Sequence, residues 1–147
     1  MRDVWLLPAL ILPLVLVAPV QAFTSMTVRN GSGSSVGRLD PDGTVRNSSG
    51  SSIGRVEPGG TVRDSSGSSI GRIDPDGTVR NSSGSSIGRV DGDGTLRNGS
   101  GSSIGRLDGC TVRNASGSSR GSFDGCARSD QAIMAAVLFF FMPLHNH

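Results

Sequence analysis

The sequence contains no lysine and no tyrosine, and its aromatic residues are five phenylalanines and one tryptophan. Its 14 arginines are balanced by 12 aspartates and glutamates, so the formal net charge is only +2. Charges of both signs alternate along the chain, whereas a protein that binds a nucleic-acid backbone usually carries a basic block. We therefore expect no nucleic-acid partner.

The residue groups that carry catalysis are also missing. No serine-histidine-aspartate, cysteine-histidine or paired-carboxylate pattern typical of an active site is present. Residues 40–43 and 91–94 resemble the start of a calcium loop, but the third ligand and the later glutamate of such a loop are absent. His145 and His147 offer only two ligands at the chain end. We therefore expect no enzyme, no cofactor and no metal site.

One long apolar run stands at the N terminus. Residues 1–22 are predicted to be a secretory signal peptide, because Arg2 precedes an apolar stretch and small residues precede Phe23. Prolines within the run, and the lack of stop-transfer charges after it, favour cleavage over a transmembrane anchor. The sequence therefore predicts export to the periplasm, the cell surface or the medium.

Glycine and serine are abundant, which taken alone would suggest disorder, but aliphatic residues recur at regular positions. Residues 27–126 consist of six copies of a unit of 16–17 residues, such as 44–60. Each unit has two β-prone segments, Thr-Val-Arg and Ile-Gly-Arg-Val, separated by Asn-Ser-Ser-Gly-Ser-Ser and Asp-Pro-Asp-Gly turns. The repeats are therefore predicted to form an antiparallel series of β-hairpins.

The aliphatic residues of one unit cannot stabilise it alone. Three of them, Val45, Ile53 and Val56, contribute roughly 5–9 kcal/mol when buried, whereas ordering a unit costs about 17–34 kcal/mol. Ile53 and Val56 lie an odd number of residues apart, so Gly54 is predicted to form a bulge that turns both side chains inward. The units must pool their apolar faces, either in a linear β-stack or in a closed ring.

Residues 127–147 depart from the repeat and form an apolar C-terminal tail. The stretch 132–144 is too short to span a membrane, which takes ~20 apolar residues in a helix. We expect the tail to pack into the barrel, with Phe139, Phe140 and Phe141 supplying bulk that the repeats lack. Contact with a membrane and a cleaved lipid-anchor signal are the alternatives.

The repeated phrase T-V-R-N/D-S-S-G-S-S-I-G-R-I/V-D-x-D-G, followed by an A-A-V-L-F-F-F tail, resembles the five-fold β-flower proteins from Thr27 to about Met142. The resemblance implies an all-β fold, a shallow and roughly five-fold symmetric barrel whose hairpins radiate like petals. It brings no catalytic residues, because the family is functionally uncharacterised. Pairing across the Asp-Pro-Asp-Gly turns gives five hairpins, in agreement with five-fold closure. The sixth unit departs from the pattern, with Arg120 in place of an aliphatic residue and Ser122 in place of an arginine.

The recurring arginines are the candidate binding residues. A ring would present them as two circles of positive charge suited to phosphate, sulfate or carboxylate groups, unless each pairs with an acidic residue of a turn. The candidates for anion binding are Arg38, Arg46, Arg55, Arg63, Arg72, Arg80, Arg89, Arg97 and Arg106. Cys110 and Cys126 occupy equivalent positions of neighbouring units and are either disulfide-bonded after export or free thiols.

Three functions fit these observations. The first is an exported β-repeat protein with a structural or binding role at the cell envelope. The second is a binder of anionic ligands, on a membrane surface or an anionic glycan, through the arginines. The third is an ice- or surface-binding protein that uses a flat array of threonines, which requires the linear stack. These threonines are Thr27, Thr44, Thr61, Thr78, Thr95 and Thr111.

Overall fold

The structure, a computed structural model, describes residues 23–146, so the predicted signal peptide over residues 1–22 lies outside it. Within that range the chain forms twelve short strands and then one α-helix. The strands are β1 Met26–Asn30, β2 Ser35–Leu39, β3 Thr44–Asn47, β4 Ser52–Val56, β5 Thr61–Asp64, β6 Ser69–Ile73, β7 Thr78–Asn81, β8 Ser86–Val90, β9 Thr95–Asn98, β10 Ser103–Asp108, β11 Thr111–Asn114 and β12 Ser119–Asp124. Helix α1 spans Gln131–Phe140, between 3₁₀ turns at Arg128–Asp130 and Leu144–Asn146.

The strands close into an antiparallel barrel. Each strand pairs with its neighbours in sequence, and β1 pairs with β12, where Val28 lies opposite Phe123. Closure confirms the predicted ring and excludes the linear stack, so the flat array of threonines that ice binding would need is not formed. The sixth unit keeps its place in the ring, because its strand β12 is the one that meets β1.

Two kinds of hairpin alternate around the barrel. The five hairpins predicted across the Asp-Pro-Asp-Gly turns are confirmed as β2–β3, β4–β5, β6–β7, β8–β9 and β10–β11. The other kind joins each odd-numbered strand to the next strand and projects an exposed tip; we call these hairpins petals. Six petals lie in the described part of the chain, from the first, β1–β2, to the sixth, β11–β12. The barrel is closed by the pairing of β12 with β1, two strands that no turn connects.

The petal tips follow the predicted turn chemistry. In the second petal, Asn47 Oδ1 accepts hydrogen bonds from the backbone N–H groups of Ser49 and Ser51, at 3.0 and 3.1 Å. Gly50 adopts a φ of 86°, a left-handed conformation that costs glycine little. The third petal uses Asp64 in the same way, since its Oδ1 accepts from Ser66 and Ser68 at 3.0 Å.

The predicted bulge is present in the second strand of each petal, but the prediction that it turns both aliphatic side chains inward is wrong. Val45 pairs with Gly54 and Arg46 pairs with Ser52, so Ile53 is the extra residue. Val45 and Val56 are buried in the barrel, whereas Ile53 is only half-buried and packs at the edge of the core. Gly54 itself faces inward, which leaves a space where other residues would project a side chain.

The C-terminal tail fills the barrel. Helix α1 places Ala135, Ala136, Val137 and Leu138 at 0% exposure among the inward valines and leucines of the strands. The sequence predicted a tail in the core but assigned it no helix. Within residues 23–146, no helix is both long enough and apolar enough to cross a membrane.

The end of the tail meets one inward glycine in each petal. A Cβ atom added to Gly71 would lie 2.5 Å from Phe140 Cζ, and one added to Gly121 would lie 2.8 Å from Leu144 Cδ1. These distances are shorter than any real contact of a Cβ atom, so only glycine leaves room for the tail. The pairs are Gly37 with Met142, Gly54 with Phe141, Gly71 with Phe140, Gly88 with Phe139, Gly105 with His145 and Gly121 with Leu144.

This packing predicts that Gly88→Ala destabilises the barrel. The added methyl group would lie 2.5 Å from Phe139 Cζ and 2.7 Å from Arg97 O, so either the ring or the strand must move. We expect the free energy of unfolding to fall by about 1–3 kcal/mol, as for other overpacked cores. Urea unfolding followed by circular dichroism measures it.

Gly92→Ala is the matched control, because a Cβ there meets nothing within 4 Å and neither glycine has a positive φ. It should change the free energy of unfolding by less than about 0.5 kcal/mol. Adding Phe139→Leu to Gly88→Ala should recover part of the loss. Equal effects of the two glycine substitutions would show that the tail does not occupy this space.

Candidate binding grooves between petals

In each unit, one carboxylate holds two arginines on the outer wall of the barrel. Arg38 on β2 and Arg46 on β3 lie directly opposite each other, and Asp40 begins the turn that joins the strands. Asp40 accepts a hydrogen bond from Nε of each arginine at 2.7 Å. The carboxylate therefore offsets the repulsion between two like charges that face each other across the strands.

The same arrangement recurs around the ring. Four further acidic residues each contact two arginines within 4 Å: Glu57 with Arg55 and Arg63, Asp74 with Arg72 and Arg80, Asp91 with Arg89 and Arg97, and Asp108 with Arg106 and Arg113. We call each set an arginine triad. At the closure Ser122 replaces one arginine, and Asp124 accepts from Ser122 Oγ at 3.1 Å and from Arg29 Nε at 2.5 Å.

The two arginines of a triad are held differently. The later one in sequence also donates from Nη1 to the petal tip, as Arg46 does to Gly50 O at 3.0 Å, and its side chain is 31% exposed. The earlier one, such as Arg38, is 53% exposed. We call the first kind the anchored arginine and the second the outer arginine. The outer arginines have the more accessible guanidinium groups.

The arginines lower the pKa of the carboxylates in the triads of Asp40, Glu57, Asp74 and Asp91. The hydrogen bond from Arg46 is the largest cause at Asp40, and it outweighs partial desolvation, so the pKa lies below the ordinary value of 3.8. The anchored arginines Arg80 and Arg97 do the same to the pKa values of Asp74 and Asp91. These carboxylates are therefore ionised throughout the neutral range.

An open groove separates neighbouring petals and contains arginines of the triads. The groove between the fourth and fifth petals has a volume of ≈ 240 Å³ and is lined by Thr78, Ser86, Arg89, Arg97 and Asn98. Within residues 23–146 the same groove is seen at four positions around the ring, with volumes of ≈ 520, 330, 240 and 580 Å³ in chain order. Each contains the outer arginine of one petal beside the tip of the next.

The lining of the grooves favours polar ligands. Guanidinium and hydroxyl groups supply donors, and the triad carboxylates supply acceptors. The residues that line the four described grooves include no aromatic side chain. The described part of the chain holds no cluster of three or more histidines, cysteines, aspartates or glutamates that could bind a metal ion. The grooves can therefore bind a ligand rich in hydroxyl and acidic groups by hydrogen bonds and ion pairs.

All nine arginines proposed from the sequence lie in triads, and six of them line the grooves. Those six are Arg55, Arg63, Arg72, Arg89, Arg97 and Arg106. Arg29 and Arg113 were missed, although the repeat places them at the position of Arg46. The alternative in which each arginine pairs with an acidic residue of a turn is what the structure shows, while anion binding stays a prediction.

A different groove forms where the tail leaves the ring. It has a volume of ≈ 520 Å³ and is lined by Arg106, Asp108, Arg128 and both cysteines, among others. The sulfur atoms of Cys110 and Cys126 lie at bonding distance, and their Cα atoms are 5.8 Å apart, within the range for disulfides. The predicted disulfide therefore fits the geometry of the closed barrel.

The lowered pKa values predict a loss of stability in acid. A pKa that is lower in the folded than in the unfolded state adds stability that is complete above the unfolded value and lost as the pH falls through the folded one. For the aspartates of the triads the unfolded value is near 3.8. We expect a constant melting temperature down to about pH 5 and a progressive fall below about pH 4, measured by circular dichroism.

The control is the triple variant D40N/D74N/D91N. It removes ionisable groups but leaves the turns, so its melting temperature at neutral pH should be lower and its decrease in acid smaller than in the unmodified protein. Identical acid dependence of the two proteins would mean that the triads contribute nothing to stability.

The comparison with protein families agrees with this geometry. No curated protein and no solved structure matches the chain. The model of the family described as 5-fold beta-flower protein matches residues 25–142, a range that contains all twelve strands and helix α1. This match covers most of the sequence, and the resemblance seen in the repeat is thereby confirmed: the chain belongs to the 5-fold beta-flower protein family.

Proposed function

We propose that this protein is an exported, non-catalytic module that binds an anionic glycan at the cell envelope through the grooves between its petals. The family is of unknown function and has no known enzymatic role. The proposal depends on one observation, the recurrence of the same arginine-containing groove at four described positions around the ring.

Repetition of a shallow groove suits a ligand that is itself repetitive. A single groove offers a few hydrogen bonds and partly exposed charges, and such contacts contribute little each. A polymer that occupies several grooves gains from the high effective concentration of its neighbouring groups. A glycan with one carboxylate or sulfate group per repeat can therefore bind well although each groove binds weakly.

The charge balance favours a glycan over a membrane surface. Recruitment to anionic lipids depends on clusters of basic residues without acidic neighbours. Here every triad carries its own carboxylate, and the formal net charge of the whole chain is +2. Grooves that offer donors and acceptors side by side match sugar hydroxyl groups as well as acidic groups.

Two features support export. The sequence of residues 1–22 has the pattern of a secretory signal peptide, and these residues lie outside the described part of the structure. The geometry of Cys110 and Cys126 fits a disulfide, a bond that persists in oxidising compartments outside the cytoplasm.

The proposal predicts binding of the chain from residue 23 onward to dextran sulfate and not to neutral dextran, which has the same backbone. Calorimetry should show an affinity that falls at least tenfold when salt rises from about 0.05 to about 0.5 M, because salt screens exposed charges. A single sulfated glucose should bind at least about a hundredfold more weakly than the polymer.

Substitution of the outer arginines tests whether the grooves bind the polymer. The variant R55Q/R72Q/R89Q/R106Q should lose most of the affinity for dextran sulfate, whereas the lysine variant at the same positions should retain more of it because it keeps the charge. Circular dichroism establishes that both variants fold. Equal binding of dextran and dextran sulfate would refute the proposal, and so would binding to anionic lipid vesicles alone.

A further inference from the structure

We propose that the groove between the fifth and sixth petals is the first binding site for an acidic group of the ligand. This inference rests on the proposed function and adds that the grooves are unequal. We call it the Arg106 groove; it is lined by Arg106, Asp108 and Arg113 together with Thr95 and Asn114, among others. It differs from the other described grooves in the number of acidic residues in its turn and tip, in the geometry of its triad and in size.

The smaller number of acidic residues follows from the length of the repeat. The fifth unit is one residue short and ends in Asp108-Gly109-Cys110, where the fourth ends in Asp91-Gly92-Asp93-Gly94. The second aspartate of the turn is therefore missing. The turn beside Arg106 and Arg113 therefore carries one acidic residue, Asp108, whereas the turn beside Arg89 and Arg97 carries two, Asp91 and Asp93.

The turn after β4 also lacks a second acidic residue, but the tip of the adjacent petal supplies one in its place. Gly59 takes that position, and the tip of the third petal carries Asp64 where the other petals have asparagine. Asp64 adjoins Ser65, which lines the groove between the second and third petals. Among the four described grooves, the Arg106 groove is therefore the one whose turn and tip together carry a single acidic residue.

The triad of the Arg106 groove is also looser. Asp91 uses one oxygen for each arginine, at 2.7 Å, and its side chain is 21% exposed. Asp108 contacts both arginines through Oδ2 alone, at 3.6 Å from Arg106 Nη2 and 3.1 Å from Arg113 Nε, and is 48% exposed.

The shorter turn explains the looser geometry. Asp108 belongs to strand β10 and pairs with Thr111, whereas Asp91 stands in the turn after β8. Its carboxylate is therefore displaced from the midpoint between the two arginines. An external sulfate or carboxylate competes with weaker contacts here than at the regular triads.

The Arg106 groove has the space for such a group. At ≈ 580 Å³ it is the largest of the four described grooves. The separate groove at the start of the tail, ≈ 520 Å³, shares Arg106 and Asp108 with it and adds Arg128 and Asp93. Arg106 thus stands between two openings, so a polymer bound at one can extend into the other.

Paired variants of equivalent residues test this inference. R106Q/R113Q should lower the affinity for dextran sulfate roughly tenfold or more, the loss expected for two charge-assisted hydrogen bonds, whereas R89Q/R97Q should lower it less than about threefold. Titration with glucose 6-sulfate, followed by NMR of the arginine Nε–H groups, should shift Arg106 and Arg113 at the lowest concentrations.

A second comparison leaves both arginines in place. Gly109 has a φ of 61° and a Cβ there meets nothing within 4 Å, a conformation that asparagine and aspartate tolerate. G109D restores a second negative charge to the turn, and G109N is its neutral control. We expect G109D to bind dextran sulfate at least about threefold more weakly than G109N, because the charge lies beside the site.

The outcomes separate the two proposals. If the unmodified protein binds dextran sulfate but both arginine pairs matter equally and G109D equals G109N, the grooves are equivalent, and only this inference fails. If the unmodified protein does not bind dextran sulfate, the proposed function fails as well.

Discussion

The contact between the tail and the inward glycines is the constraint on which the rest of the structure depends. A barrel of twelve strands encloses a space that short valine-rich strands cannot fill alone. Helix α1 occupies that space, and residues 139–145, which include the last turn of the helix and the segment after it, place six side chains against six glycines. The glycine in every Ile-Gly-Arg segment thus allows close packing in addition to forming a bulge. A side chain at any of these glycines would force the tail or the neighbouring strand to move.

The arginine triads belong to the hairpins of the wall. The β2–β3 hairpin brings Arg38 opposite Arg46, a pairing that would be repulsive if Asp40 did not lie between them. The same carboxylate fixes the turn, the anchored arginine and the wall of the groove. Under the proposed function, stability and ligand binding use the same residues, so an acidic group of the ligand would compete with the protein's own carboxylates. Such competition would favour a groove with a loosened triad over one with an additional arginine.

The repeat allowed much of the fold to be predicted from the sequence. Hairpins, tip turns and the bulge at Gly54 follow from local chemistry, and the pattern is long enough to identify the family. The pairing of Phe139 with Gly88, and of its neighbours with other petals, could not be predicted, because it depends on which part of the ring the tail faces. The volumes of the grooves could not be predicted either, because they depend on how far the petals stand apart around the closed barrel, although the β8–β9 hairpin alone places Arg89 opposite Arg97.

The position of the tail in the chain also bears on how the protein folds. The segment that fills the barrel follows all twelve strands in the chain, and the pairing of β12 with β1 joins strands from opposite ends of the repeat array. Contacts between residues so far apart in sequence form slowly, because the intervening chain must first be ordered. A growing chain that has emerged up to the fifth petal lacks both the closing strand and the core. Closure of the barrel therefore waits until β12 and the tail have been synthesised, whereas the local hairpins can form earlier.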